Sequence, residues 1–189
     1  MADVQFKEMD DSKLSVMRKI CKVISLILYY GIAKHLPNYS FPGGVFYNWI
    51  RIKLLKNILP IGDKNKIMRN VYVGDGDRIS VGNNCRINEG VRLCNVTIGD
   101  NVMIARNHVF IGAQHKFERT DIPMVEQGFE WDKLTIIEND IWIGINVVIM
   151  PGIRVKSGCI IAAGAILTKD TESYGIYGGN PARILGKRK

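Results

Sequence analysis

From Ile137 onward the chain sets a branched aliphatic side chain at every sixth residue: Ile137, Ile143, Ile149, Val155, Ile161 and Leu167. Val81, Ile87 and Leu93 keep the same period upstream. One residue is then lost at Asn95, and Ile98, Ile104 and Phe110 resume the series. An α-helix would need a period near 3.6, and an ordinary amphipathic strand would not hold six aliphatics in perfect phase. Two residues before most of these aliphatics sits a smaller or β-branched residue: Cys85, Val91, Val102, Ile141, Val147, Ile153, Cys159 or Ala165. Residues two apart share one face of a strand, so each hexad offers a short strand with one small and one bulky inward side chain. Gly82-Asn83-Asn84, Gly99-Asp100-Asn101 and Gly144 supply turn chemistry between the strands. Six residues cannot bury their own apolar face, whereas stacked coils make a continuous core. The expected fold is mainly β, a parallel β-helix of hexads.

The series breaks between His115 and Leu134, where QHKFERTDIPMVEQGFEWDK is polar and lacks the period. An excursion of that length from a regular solenoid points to function. Upstream, Ser12 is positioned to cap a helix running to about residue 35. FYNWIRIKLLKNIL has helical spacing over 43–58, with Arg51, Lys53 and Lys56 expected on its wetter side. The chain thus divides into a basic helical segment over 1–66, a coil region over 67–172 with its loop at 115–134, and a tail over 173–189.

Of a net charge of +8, residues 1–70 hold +7, with twelve Lys/Arg against five Asp/Glu. Such a region suits an anionic substrate, lipid or nucleic acid, or is a solvated face. Cys21, Cys85, Cys94 and Cys159 show no CxxC spacing and read as small apolar residues of a reducing compartment. The polar start MADVQFKEMDDSK is unlike a secretory signal, and the apolar run Val23–Ala33 is shorter than a membrane span. The expected location is cytoplasmic.

The hexads, the stretch IENDIWIGINVVIMPGIRVKSGCIIAAGAILTKD and the ending YGGNPARILGKRK resemble the hexapeptide-repeat acetyltransferases. The nearest branches are the maltose/galactoside acetyltransferases and the polysaccharide or lipopolysaccharide O-acetyltransferases. The latter are similar also in the basic lead-in and in a loop of the form H-x-F…P…QG. The resemblance implies a left-handed parallel β-helix, against the usual right-handed crossover rule. It also implies a homotrimer with active sites between subunits, acetyl-CoA as co-substrate and no metal.

His115 opens the excursion where that family places its catalytic histidine, and acetyl transfer to a hydroxyl needs a base near neutrality. Its expected task is to take the acceptor's proton and pass it to the departing thiolate. His35 reads as a surface residue. His108 falls on a small-inward position and is expected as a hydrogen-bonded core imidazole. Asn88 aligns with a family asparagine that binds the acceptor sugar, and also fits a plain turn. Glu126 is placed to orient His115 or bind acceptor. By resemblance, the coenzyme's pantetheine arm runs along Gly144, Ile145, Ala162 and Ala163. Trp142, Thr168, Lys169 and Arg183 match further coenzyme positions. A second family arginine is Gly186 here, with Lys187 or Arg188 as substitutes.

The expected function is transfer of acetyl to a sugar hydroxyl of a surface polysaccharide or its precursor, with peripheral contact at the inner membrane face. A streptogramin-type antibiotic acetyltransferase and an amino-sugar N-acetyltransferase are the other enzymatic readings. A trimeric scaffold on membrane or nucleic acid is the non-enzymatic one, and it has no use for a loop histidine beside a GNPAR ending. Nucleic acid is not an expected partner. A zinc β-helix is disfavoured, since three ligands are wanted and only His108 and His115 lie among the coils.

Overall fold

Short strands recur along the chain in a fixed order, and each recurrence hydrogen-bonds to the one before. The computed structural model describes residues 16–131 and 133–188. Its first face holds Ile79–Val81, Val96–Ile98, Thr135–Ile137 and Arg154–Val155. The second face holds Lys66–Ile67, Arg86–Ile87, Met103–Ile104, Trp142–Ile143, Ile160–Ile161 and Gly175–Gly179. The third holds Val109–Phe110, Val148–Ile149 and Ile166–Leu167. Every one of these pairings is parallel. The chain visits the faces in turn, so three hexads close one coil of a triangular prism. The stack begins at Ile61, which bridges Val81 in parallel.

All twelve period-six residues, eleven aliphatics and Phe110, point inward, none more than 5% exposed, and the eight small positions are buried beside them. Each buried aliphatic contributes about 1.5–3 kcal/mol relative to exposure, which is why the hexad holds the coil together. The turns need one left-handed residue apiece. Asn84, Asn101, Asn107 and Asn146 supply it at φ between 54° and 60°, a region Asn tolerates better than other side chains. On the edge between the first and second faces these amides also bind each other. Asn84 Nδ2 donates to Asn101 Oδ1 at 2.8 Å, and the Asp100 amide donates to Asn139 Oδ1 at 2.7 Å.

Coil length varies where the hexads slip. Ile160 pairs with Trp142 eighteen residues back, but Met103 pairs with Arg86 only seventeen back, because a residue is missing at Asn95. Trp142 pairs with Met103 across thirty-nine residues, and the excess is the excursion.

Helix α1 (Val16–Gly31), a 3₁₀ turn (Ala33–His35) and helix α2 (Gly44–Ile58) close the open end of the first coil. The Tyr29 hydroxyl donates to Val71 O at 2.9 Å. Asn48 clamps the first strand by donating to Asn65 O at 2.9 Å and accepting from Ile67 N at 2.8 Å. Leu55, Ile58 and Leu59 plug the core. The expected cap Ser12 lies outside the described residues.

One expectation is overturned and another is met in part. Arg51 is not on a wet face: it is fully buried, and its guanidinium donates to the carbonyls of Ala33, Ile67, Leu36 and Pro37, ending the first helical segment. Carbonyls left over at a helix end need donors, and a five-donor fork fills several at once. Burial pulls its pKa below the usual range, opposed by Tyr29. His108 is core as expected, and its polar neighbour among the described residues is the Val147 backbone, in a contact too poor in geometry to satisfy either ring nitrogen fully. Its ring meets Phe110 edge-on at 4.2 Å, and burial drives its pKa down to about 4 against a weaker upward pull from the Val147 backbone.

Candidate functional site

The stacking register carries the candidate residues to two different edges of the prism. Along the edge between the second and third faces, backbone bonds run Asn88 N to Ile104 O (3.0 Å), Ala105 N to Ile143 O (2.9 Å), Gly144 N to Ile161 O (2.8 Å) and Ala162 N to Tyr177 O (2.7 Å). Asn88, Gly144-Ile145 and Ala162-Ala163 therefore occupy one line, rising about 4.8 Å per coil. Asn88 lies 56 residues from Gly144 and 74 from Ala162, and they come together because each is the first residue past a second-face strand. Asn88 also spends its amide on Ile104 O at 2.8 Å, leaving its side-chain oxygen to accept. Gly144 is held to glycine by the fold itself, since a Cβ there would lie 2.6 Å from Ala163 N.

The antiparallel strand Ala182–Lys187 folds back on Gly175–Gly179 and sets Arg183 opposite Gly178, next to the end of this line. Arg183 is exposed; Lys187, also exposed, is paired with Glu172 at 3.0 Å. Trp142 projects from the second face, half exposed, with Met103 and Ile160 as its strand neighbours.

The excursion leaves from the other edge, between the third and first faces. Its two arms pair as Ala113–His115 against Phe129–Trp131, with His115 opposite Phe129. Gln127 ties the loop across its middle, donating to Arg119 O at 2.7 Å and accepting from Arg119 N at 3.1 Å. The Trp131 ring lies on the Arg78 guanidinium at 4.5 Å. His115 is thus exposed on a braced hairpin. Glu126 sits on the loop's 3₁₀ turn (Met124–Glu126), and no hydrogen bond joins it to His115. Thr168 and Lys169 follow a third-face strand and lie exposed on this same edge. Phe117, Met124, Val125 and Phe129 turn apolar surface outward, each more than 60% exposed. Within one chain His115 and the Asn88–Ala163 line stand on separate edges.

One feature escaped the sequence. Asn38, Arg69, Glu89, Arg106 and Asn107 line a cleft of about 410 Å³ beside Asn88. The Glu89 carboxylate takes an ion contact from Arg106 and a hydrogen bond from Asn38. Its signal was present, since Glu89 and Arg106 each follow by two residues a period-six aliphatic (Ile87 and Ile104) of adjoining coils. Among the described residues no cluster of His, Cys, Asp and Glu could hold a metal ion, and no helix is long and apolar enough to cross a membrane.

Residues 134–169 match the family model for bacterial transferase hexapeptide (six repeats). The "probable macrolide acetyltransferase" of Lysinibacillus sphaericus is 36% identical over 60% of this chain, and the match spans only 62% of that relative. The galactoside O-acetyltransferase of Escherichia coli K12 is 31% identical over 78% of this chain and 72% of its own length. The crystal structure of a hexapeptide-repeat acetyltransferase from Vibrio cholerae, complexed with acetyl-CoA, superposes with a TM-score of 0.71 at 26% identity, covering 93% of this chain and 91% of that one. The coils and the extent of these matches agree, and the chain belongs to the hexapeptide-repeat acetyltransferases, with their left-handed β-helix.

Proposed function

We propose that this chain is an acetyl-CoA-dependent O-acetyltransferase that acts, as a homotrimer, on a sugar hydroxyl of a surface polysaccharide or its precursor. The observation that carries the reading is the separation of the two edges. One displays a histidine on a braced hairpin. The other displays a line of small residues with Asn88 and a polar cleft at its start. A ligand as long as acetyl-CoA suits such a line, with its pantetheine arm along Gly144, Ile145, Ala162 and Ala163. Trp142 would flank it, and its phosphates would meet Arg183 and Lys187 of one copy and Thr168 and Lys169 of the next. The acceptor fits the cleft at Asn88 and Glu89.

In this reading His115 of a neighbouring copy takes the proton from the acceptor hydroxyl as its oxygen attacks the thioester carbonyl. The carbon–sulfur bond then breaks, and the imidazolium returns the proton to the coenzyme thiolate. Transfer is direct, through a ternary complex, with no covalent enzyme intermediate. Glu126, on the same hairpin, is placed to orient the imidazole or to meet the acceptor.

His115→Ala should keep its melting temperature and its KM for acetyl-CoA while losing about 10²- to 10⁴-fold in kcat, the usual worth of a general base. Wild-type turnover in that variant would remove His115 from the reaction. The macrolide relative supports a second reading, an antibiotic acceptor. Assaying acetyl transfer onto sugar-nucleotide, oligosaccharide and antibiotic pools separates the two, and efficient antibiotic acetylation with no sugar product would replace the first reading by the second.

A further inference from the structure

An amphipathic helix on a water-soluble protein turns its apolar stripe inward. Helix α1 does the reverse. Against the first coil it sets Ser25, Tyr29 and Lys22, whose ammonium meets Asp77. Facing away are Val16, Met17, Ile20, Val23, Ile24 and Ile27, each at least half exposed. At 100° per residue these six fall within a sector of about 120°, and no charged residue of the helix shares it. Helix α2 extends the surface with Phe46 and Trp49, also more than half exposed, across a groove of about 330 Å³ lined by Leu28, Ile32, Trp49 and Lys53.

The charge around this face selects its occupant. Residues 16–70 hold ten Lys/Arg and a single acid, Asp63, which is paired with Lys56 at 2.7 Å. Lys19 borders the apolar sector, and Lys53 lies 5.0 Å over the Trp49 ring. Two copies meeting through this face would set like charges together. An anionic bilayer offers acyl chains to the apolar sector and phosphates to the cations, with an indole at the boundary.

We propose that α1 and α2 dock this face in the plane of an anionic phospholipid bilayer, without crossing it. The proposal deepens the functional reading above and rests on it for the acceptor. The cleft of Asn38, Arg69, Glu89 and Arg106 begins on the segment joining the two helices. Docking would hold that cleft near the bilayer, where a lipid-linked glycan precursor presents its sugar.

Co-sedimentation of the full chain with phosphatidylcholine vesicles, with and without about 30 mol% phosphatidylglycerol, reads docking without any activity assay. Wild type should bind the anionic vesicles at least about tenfold more tightly than the neutral ones, and lose most of that preference at about 0.5 M salt. Ile24→Glu/Ile27→Glu, both on the outward face, should fold normally and lose binding. Lys19→Gln/Lys53→Gln should weaken binding and flatten its salt dependence. Wild type that ignores anionic vesicles, or binding undiminished in the double glutamate variant, overturns the proposal. So does a fall in particle mass of that variant by light scattering without vesicles, which would make the face a subunit interface. Docking with no sugar acetylation would leave this inference standing and remove the acceptor assignment instead.

Discussion

His108 should make this protein acid-sensitive in a way that one substitution removes. Its ring interrupts a column of small apolar residues on the third face, Val71, Val91, Val147 and Ala165, all fully buried. Burial holds its pKa at about 4 in the folded chain, against about 6.5 when unfolded. The unfolded chain therefore binds more protons between pH 6.5 and 4, so stability is fully present above that window and falls as pH drops through it. The linkage amounts to about 2 kcal/mol by pH 5 and about 3 kcal/mol once both states are protonated. His108→Val completes the column and cannot titrate. Urea midpoints for wild type and variant at pH 8 and pH 5, at one protein concentration, isolate the effect, because carboxylates common to both cancel in the difference. Wild type should lose about 2 kcal/mol more than the variant over that interval. At pH 8 the variant should be near neutral, since removing two poorly satisfied nitrogens offsets the smaller volume. Equal pH dependence in both proteins would refute the burial argument.

Arg51→Leu should cost about 2–5 kcal/mol in urea unfolding, because several helix-end carbonyls lose their donor at once; Arg51→Lys should recover only part of it, lacking the fork. Gly144→Ala should destabilise by about 1–3 kcal/mol even without ligand, since its Cβ would press on Ala163 backbone; an unchanged thermal midpoint would contradict the coil spacing. Light scattering should give the mass of a trimer at micromolar concentration, and a stable monomer would end the shared-site reading.

The hexad period described the coils from Val81 to Leu167, while the stack runs beyond it at both ends, from Ile61 to Gly179. All twelve period-six residues are buried, and the turns fall where Gly, Asn and Asp cluster. The two helices and the excursion were equally legible, because each is set by local spacing or by the local failure of the period. Arg51 and the outward face of α1 were not. Both depend on which side of a helix meets the coils, and an amphipathic pattern says only that two sides differ. Nothing in the segment shows that its polar side would find Asp77 and Val71 while its apolar side stayed outward among the described residues. The separation of His115 from the Asn88–Ala163 line is of the same kind. A turn lands on one edge or another according to its place within its own coil, and coils of seventeen and eighteen residues both close on the same three faces. The residue missing at Asn95 shortens one coil yet leaves every later strand on its face, so stacking and not sequence distance decides which residues share an edge.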